Sequence, residues 1–251
     1  MLKYYFRLVL HLVARDFRLR YAGSVLGFLW SILIPLFQLG VLMFTFQRVI
    51  PVGISDYPTF VYSALLPWTW FSSCLGSAGY LFLSNRDLVR RPNFPPIALI
   101  VMNTLSNLLT FLLSLPVLFV LLAWSGRSLT LSLAVLPFLL VIQALMTVGL
   151  SLAIATWNVF FRDISQMVNI ALSLVFFVTP IFYSVPRQTK YMVIFQLNPV
   201  AGLIRCYRAI LFEGQEPEWG PLILVILVSI ALLGLGYLTY KHRLSDVVDT
   251  I

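Results

Sequence analysis

Basic side chains that could bind an anion or a protein partner recur at helical spacing in residues 1–20. Apolar side chains, among them Phe6 and Val13, lie roughly opposite. The basic side chains on the shared face are Lys3, Arg7, Arg15 and Arg18. The pattern predicts an amphipathic helix in the headgroup layer, with its basic face toward anionic lipid or a cytosolic partner. A solvated basic anchor without a partner fits the pattern equally well.

A second charged segment, residues 84–96, is the best candidate for a protein-docking surface, and we name it the connector. It combines basic and acidic residues with Leu88 and Phe94, which the local pattern leaves exposed. Pro92 and two further prolines stiffen its exit. An ordinary positively charged cytoplasmic loop would have the same composition.

Motifs for catalysis or for energy coupling are missing from the sequence. It contains no GxxxxGKS or GxxxxGKT phosphate loop, no HExxH pair, no nucleophile elbow and no cysteine–histidine cluster. Its long apolar stretches hold no carboxylate, although ion-coupled carriers usually place Asp, Glu or His at membrane depth. A transporter of this composition must be driven by a partner that docks on its cytoplasmic face.

Six long uncharged stretches must position these groups. The chain is 60% hydrophobic and only 10% charged, far poorer in charge than a soluble domain. Each stretch exceeds the roughly 20 apolar residues that cross about 30 Å of hydrocarbon. The stretches are residues 21–47, 57–85, 92–126, 128–161, 164–186 and 219–240. They predict an all-α membrane protein with six transmembrane helices and an N-terminal amphipathic interface helix.

The segment between the fifth and sixth spans carries helix signals of its own. Asn198 followed by Pro199 is typical of a helix start, and Gly214 can end that helix. The apolar face of this helix is Val200, Leu203, Ile204, Tyr207 and Leu211. We predict two re-entrant half-helices here, inside a single domain. Its parts are the interface helix 1–20, spans one to five in 21–186, the re-entrant segment 187–220, and span six with a short tail in 221–251.

The net charge of +8 indicates membrane topology rather than nucleic-acid binding. If both termini are cytoplasmic, most of the 17 basic residues fall in inner segments, as the positive-inside rule requires. We therefore predict a multi-pass protein with an even number of spans and both termini in the cytoplasm.

Aromatic side chains predicted near the outer side have two interpretations. Counting back about 20 residues from Arg86 places the outer end of the second span near residues 66–68. Tyr and Trp gather at the interfaces of any membrane protein. Alternatively, the rings could guide a sugar chain, because the C–H face of a sugar is apolar and its rim is wet. The candidate rings are Trp68, Trp70, Phe71, Phe182 and Tyr183.

Amide side chains within the apolar stretches also have two possible roles. By default they hydrogen-bond neighbouring helices; otherwise they line a polar pathway. They are Gln38, Asn103, Asn107, Gln143, Asn158 and Asn169.

Several motifs, in order along nearly the whole chain, resemble those of the ABC-2 type permeases that export polysaccharides. They are residues 14–31 (ARDFRLRYAGSVLGFLWS) with Pro35, Phe94-Pro95, residues 161–164 (FRDI), residues 179–183 (TPIFY), and Leu197-Asn198-Pro199 followed by Tyr207-Arg208. One such motif alone would be weak, whereas the ordered set is specific.

The resemblance implies a homodimer that binds two ATPase subunits, with ATP and Mg held by those subunits and no cofactor in this chain. It implies export of a lipid-linked glycan, such as O-antigen, capsule or teichoic-acid polymer, across the bacterial plasma (inner) membrane. The docking residues it implies on the connector are Arg86, Asp87, Leu88, Arg90 and Arg91. A basic cluster near the interface helix suits a pyrophosphate-linked lipid, because Arg pairs bidentately with phosphate. That cluster is Arg15, Arg18, Arg20 and Tyr21.

Other function classes fit the sequence less well. A drug or lipid exporter of the wider ABC-2 type often carries a large outer domain or a fused ATPase, which this chain lacks. An ion-coupled carrier is disfavoured by the uncharged spans, and a membrane-embedded enzyme by the absence of paired catalytic groups.

Overall fold

Every regular element in the described part of the chain is helical. The structure is a computed structural model that describes residues 2–128, 130–185 and 192–251. The α-helices are α1 (Leu2–Tyr21), α2 (Trp30–Met43), α3 (Tyr57–Ala78), α4 (Leu81–Ser84), α5 (Arg86–Val89), α6 (Ile97–Trp124), α7 (Leu136–Phe160), α8 (Asp163–Val178), α9 (Met192–Leu197), α10 (Pro199–Arg208) and α11 (Trp219–Thr250).

Within the described residues, four helical stretches are long and apolar enough to cross a membrane. They are Gly27–Val49, Ile97–Trp124, Leu131–Phe160 and Trp219–Thr250. In addition, α3 has 22 residues, and α8 is a shorter apolar helix of 16 residues. The predicted class, an all-helical multi-pass membrane protein, is therefore confirmed.

Two hydrophobic cores lie one above the other along the bundle. The larger surrounds α3 and includes Tyr62, Leu139 and Tyr207, which are fully buried. The smaller lies beside the connector and includes Leu12 of α1 and Val247 of α11. We call the side of the smaller core the connector end and the other side the opposite end.

The most intimate helix crossing joins α7 to α11. A Cβ added to Gly149 of α7 would overlap the backbone of Leu232 and Leu233, and one added to Gly236 of α11 would overlap the Gly149 carbonyl. Glycines at both positions let the two backbones touch, which is how helices associate when the surrounding lipid is as apolar as their side chains.

The structure corrects the predicted ends of three helices. α3 begins at Tyr57, so the prediction that its outer end lies near residues 66–68 is wrong, and those residues lie mid-helix. α8 stops at Val178, short of the end of its uncharged stretch at residue 186, because Pro180 lacks an N–H and pushes the preceding residue into the extended region. α11 runs beyond residue 240 to Thr250, because a helix can continue past the hydrocarbon region and its last turns carry charged residues.

Two local predictions are confirmed. α1 covers almost the whole predicted amphipathic segment. The Asn198 side chain accepts hydrogen bonds from the backbone N–H groups of Val200 (3.0 Å) and Ala201 (3.2 Å), and so caps α10. The chain leaves the following turn at Gly214, where φ is 67°. Of the predicted re-entrant segment, residues 187–191 lie outside the described residues.

Candidate functional site

A cavity of about 410 Å³ lies between the end of α1 and helices α2, α3 and α6. We call it the α2–α3–α6 cavity. Its wall is mixed, with aromatic residues next to hydroxyl and amide residues inside an otherwise apolar bundle. The polar residues in its lining are Arg20, Tyr21, Ser24, Ser31, Gln38, Thr69, Ser72, Ser73, Asn107, Thr110 and Ser114. Among the described residues that line it, Arg20 alone carries a charge.

Arg20 is held in place from two helices. One guanidinium nitrogen donates to Asn107 Oδ1 of α6 at 2.9 Å, and another donates to Asp16 Oδ2 one turn back on α1 at 2.9 Å. Asn107 in turn donates to the carbonyl oxygen of Asn103 at 2.8 Å. Asn103 donates to the carbonyl of Cys74 on α3 at 3.1 Å. This chain of hydrogen bonds ties α1, α6 and α3 together beneath the cavity.

The aromatic wall comes from the middle of α3. Trp70 is only 2% exposed, and its indole N–H donates to the Thr104 carbonyl at 3.1 Å. Trp68 packs its ring against Phe176 of α8, with the ring centroids 5.6 Å apart. Both residues belong to the cavity lining, although their mid-helix position excludes the predicted site at the outer end of α3.

The cavity lining contains members of two residue sets that were predicted separately, the basic cluster and the aromatic candidates. From the basic cluster, Arg20 and Tyr21 line the cavity, whereas Arg15 and Arg18 lie on α1 outside its lining. From the aromatic set, Trp68 and Trp70 line it. The remaining aromatic candidates, Phe71, Phe182 and Tyr183, do not belong to the lining.

Two of those remaining rings lie with the turn after α8. Phe182 stacks on Phe46 with the ring centroids 5.0 Å apart, and Tyr183 donates its hydroxyl to the Phe177 carbonyl at 3.0 Å. Phe182 and Tyr183 also contact each other edge to face at 5.0 Å. They form a second aromatic patch at the opposite end of the bundle.

Amide side chains divide between the two roles that the sequence leaves open. Three of them hydrogen-bond neighbouring helices: Asn103 as described, Gln143 with the Pro67 carbonyl at 2.8 Å, and Asn158 with the Gly79 carbonyl at 2.8 Å. Gln38 borders the cavity, and Asn107 does both, because it lines the cavity and accepts the hydrogen bond from Arg20 of α1. The Ser and Thr residues of the cavity were not predicted as site residues, because a lone Ser or Thr in an apolar helix usually hydrogen-bonds the backbone of its own helix.

The connector forms a compact surface at its end of the bundle. α5 exposes Arg86 and Asp87, and the following turn exposes Arg90 and Arg91. Leu88 is half-buried against the smaller core instead of fully exposed. Phe94 is half-buried there too. Their packing fixes the charged residues of the connector on the body of the bundle.

A second cavity, of about 510 Å³, opens beside the connector. Arg86 of α5 and Arg162, at the turn between α7 and α8, both line it. The last turn of α11, at Thr250, forms another part of its wall. Three separate parts of the chain therefore meet at this surface.

Two motifs distant in sequence meet at the opposite end. Arg208 is buried and donates to the carbonyls of Pro180 (2.9 Å) and Ile181 (3.0 Å). Its guanidinium carbon lies 3.7 Å from the centroid of the Phe60 ring, a cation–π contact. Asn198 donates to the Thr179 hydroxyl at 3.3 Å. The α8–α9 turn and α10 are thus locked to each other and to α3.

Comparison with known proteins places the chain in a family. Residues 7–212 match the model of the ABC-2 type transporter family. The chain is 33% identical over 247 residues to an O-antigen export system permease protein, RfbA, of Myxococcus xanthus, an alignment that covers 97% of this chain and 95% of the relative. It is 29% identical to RfbA of Klebsiella pneumoniae (98% and 97% covered) and 26% identical to the polysialic acid transport protein KpsM of Escherichia coli (92% of each). The chain belongs to the ABC-2 type transporter family.

Proposed function

We propose that this chain is the transmembrane permease subunit of an ATP-driven transporter that exports a lipid-linked polysaccharide. The observation that carries the proposal is the α2–α3–α6 cavity, in which tryptophan rings, hydroxyls and a single arginine meet within an apolar bundle. Aromatic faces with surrounding hydroxyl and amide groups suit sugar rings, which are apolar on one face and wet at the rim. The names of the relatives, which span nearly the whole chain, point to the same class of substrate.

The energy for export comes from a separate subunit. This sequence has no phosphate loop, so ATP and Mg bind to two ATPase partners rather than to this chain. The partners dock on the connector through Arg86, Asp87, Leu88, Arg90 and Arg91. Half-buried Leu88 couples this surface to the smaller core, so that a push on the connector reaches the ends of α6 and α7.

The permease spans the bacterial plasma membrane six times and pairs with a second copy. α3 would reach about 33 Å at 1.5 Å per residue and can cross the hydrocarbon as a buried span, with α8 as a shorter one. α9 and α10 re-enter the membrane from the outer side, where buried backbone is tolerated. Both termini lie in the cytoplasm, so the connector faces the ATPases.

Transport is mechanical. ATP binding closes the ATPase pair, the connector transmits the movement, and the two permeases open a path at their interface. The glycan leaves past the aromatic patch of Phe182 and Tyr183. Chemistry on the substrate plays no part in this cycle.

Reconstitution tests the proposal. Proteoliposomes that contain the permease and its ATPase should move a lipid-linked glycan only when ATP is present. Permease alone is the control, and a hydrolysis-dead ATPase is the second control. Gradient-independent transport by the permease alone would contradict the proposal, and export of drugs or simple lipids without the glycan would favour a general ABC-2 exporter.

A further inference from the structure

We propose that Asn158 of α7 is a positioning residue that passes movement of the connector on to α8. This inference rests on the proposed function and deepens it, because it names the contact through which closure of the ATPases reaches α8. That contact consists of Gly79 and Tyr80, directly after α3, together with Asn158 near the end of α7 and Ser165 in the first turn of α8. We call these four residues the α3–α7–α8 joint.

Hydrogen bonds from one buried amide hold the joint together. The fully buried Asn158 side chain donates from Nδ2 to the Gly79 carbonyl at 2.8 Å and accepts at Oδ1 from the Ser165 backbone N–H at 2.9 Å. That N–H belongs to the first turn of α8, where backbone donors lack a partner inside the helix, so Asn158 caps α8 from a neighbouring helix. The Ser165 and Tyr80 hydroxyls, 2.9 Å apart, share a further hydrogen bond.

Close packing at Gly79 makes the joint stiff. A Cβ added there would lie 2.9 Å from the Ser165 Cβ and 3.1 Å from the Asn158 Cγ. The backbone after α3 therefore touches both partners, and a close-packed contact of this kind transmits displacement instead of absorbing it.

The connector reaches the joint by two routes. The chain itself leads from Gly79 through the four residues of α4 into α5 of the connector. In addition, Val159, the neighbour of Asn158, belongs to the smaller core, against which Leu88 and Phe94 of the connector pack. A push on the connector therefore arrives at Gly79 along the backbone and at Asn158 through the core.

α8 is the element that the joint can move. Among its 16 residues, all of which the structure describes, Ser165 alone is buried. A helix of this length reaches about 24 Å, and α8 leads directly to the turn that carries Phe182 and Tyr183. Because a stiff helix held at its base moves as one body, displacement at Ser165 is carried to the aromatic patch at the opposite end.

The readouts are export and movement in the complete complex of permease and ATPase, in proteoliposomes. Export is measured as glycan moved per ATP hydrolysed. Movement of α8 is read from a bimane label on Ser173→Cys, since Ser173 is exposed and the cysteines of the chain, Cys74 and Cys206, are buried. We expect an ATP analogue that is not hydrolysed to change the fluorescence of this label.

Asn158→Asp cuts the joint on one side only. The carboxylate still accepts from the Ser165 N–H and caps α8, but it cannot donate to the Gly79 carbonyl. We expect glycan export per ATP to fall at least about fivefold, as for the loss of one hydrogen bond, and the label response to fall with it. Affinity for the ATPase and basal ATP hydrolysis should stay unchanged, because the connector residues remain in place.

Asn158→Leu and Gln143→Leu form a matched pair that separates coupling from stability. Gln143 is also a fully buried amide of α7, and it donates to the Pro67 carbonyl in the middle of α3 at 2.8 Å. Both substitutions remove a buried bond between α7 and α3, so both should lower the melting temperature. Only Asn158→Leu should lower export per ATP and the label response.

Ser165→Ala and Tyr80→Phe test the second bond and disturb folding least, since each removes a single hydroxyl. Each should lower export per ATP about twofold, and the double variant should lose no more than one of them, because both remove the same bond. Ser173→Ala is the control on α8, since the Ser173 hydroxyl bonds the Asn169 carbonyl of its own helix.

Three outcomes would overturn the inference. The first is wild-type export per ATP in Asn158→Asp and in Ser165→Ala. The second is an equal loss of coupling in Gln143→Leu, which would mean that any weakened contact of α7 slows export. The third is an additive loss in the double variant, which would show that the Ser165–Tyr80 bond does not carry the coupling.

The inference and the proposed function can fail separately. ATP-driven glycan export without any response of the α8 label would remove the joint and leave the function intact. A label response that depends on Asn158, in a complex that exports no glycan, would do the reverse.

Discussion

Opposite sides of the helical bundle differ in how closely their helices approach. α7 and α11 cross backbone to backbone at Gly149 and Gly236, where a single added methyl has no room. By contrast, the buried residues of α2 are only Ser31, Pro35 and Leu39, and a Cβ added to its exposed Gly40 meets no atom within 4 Å. Close-packed elements shift as one body, whereas an element beside free volume can move alone. The difference teaches that α7 and α11 form a frame and that α2 is the part free to move, whereas α1 is tied to α6 through Arg20 and to the smaller core through Leu12.

The open side also holds the groups that sequence and structure nominate for function. Arg20 lies in the last turn of α1 there, and Trp68 of α3 belongs to the same cavity lining. The frame helices α7 and α11 instead bury their ends in the smaller core, together with residues of α1 and α6. Rigid support on one side and ligand groups on the other is the arrangement expected where binding must be turned into movement.

The largest effect expected from a single substitution is at the crossing. Gly236→Ala places a methyl on the Gly149 carbonyl oxygen, and the helices must separate, so we expect a loss of at least about 2 kcal/mol in stability. Thermal unfolding in detergent measures it. Gly234→Ala is the matched control on the same helix, because a Cβ there meets nothing within 4 Å. Equal melting temperatures for the two variants would show that the crossing is not tight.

Arg208 locks the opposite end, and its loss should have the next largest effect. Arg208→Met removes the donor to the Pro180 and Ile181 carbonyls and leaves them unpaired in a buried turn. We expect a loss of about 2 kcal/mol, the usual cost of a broken hydrogen bond to a charged group. Thermal unfolding again measures it, with protease cleavage after α8 as a second readout. Exposed Arg48→Met serves as the control, and equal stability of both variants would show that the lock is dispensable.

Binding of the ATPase to the connector should depend on the charge of the exposed connector residues rather than on the packing of the bundle. Arg90 is exposed, so Arg90→Glu should leave the melting temperature unchanged and weaken ATPase binding about tenfold, as expected for one reversed rim charge at a docking surface. Binding of the purified ATPase at low and high salt measures the change. Arg48→Glu is the charge-matched control, because Arg48 is exposed near the end of the helical stretch Gly27–Val49 and does not belong to the connector. An unchanged ATPase affinity for Arg90→Glu would remove Arg90 from the docking surface.

Much of the fold follows from local chemistry that can be read in the sequence. The uncharged stretches predict long helices, and the Asn198-Pro199 pair predicts the start of α10, because both signals depend on residues close together in the chain. The end of α8 at Val178 could also have been read from Pro180, since proline acts on its immediate neighbours. The start of α3 was missed because helix length was counted from a charge, Arg86, that lies beyond the short helix α4, at the start of α5.

The candidate site was only half predictable. Residue types suggested Arg20 as a phosphate ligand and Trp68 as a ring that contacts sugars. No short-range sequence signal, however, predicts that Arg20 and Trp68 line the same cavity. Their meeting depends on how α1 packs on α6 and how deep the middle of α3 lies, which are contacts between distant segments. The Arg208 bonds to the Pro180 turn are equally non-local, 28 residues apart.

Gly40→Ala should have the smallest effect on stability, and it tests most directly whether the α2 side is less tightly packed than the α7–α11 crossing. Alanine favours a helix over glycine by about 1 kcal/mol, and the added methyl meets no atom within 4 Å, so the melting temperature should rise slightly and export should continue at the wild-type rate. The measurement pairs thermal unfolding with export in proteoliposomes. A destabilisation as large as that of Gly236→Ala would mean that a second copy packs on α2 at this point. The open side would then be an interface as tight as the frame, and α2 could not move independently.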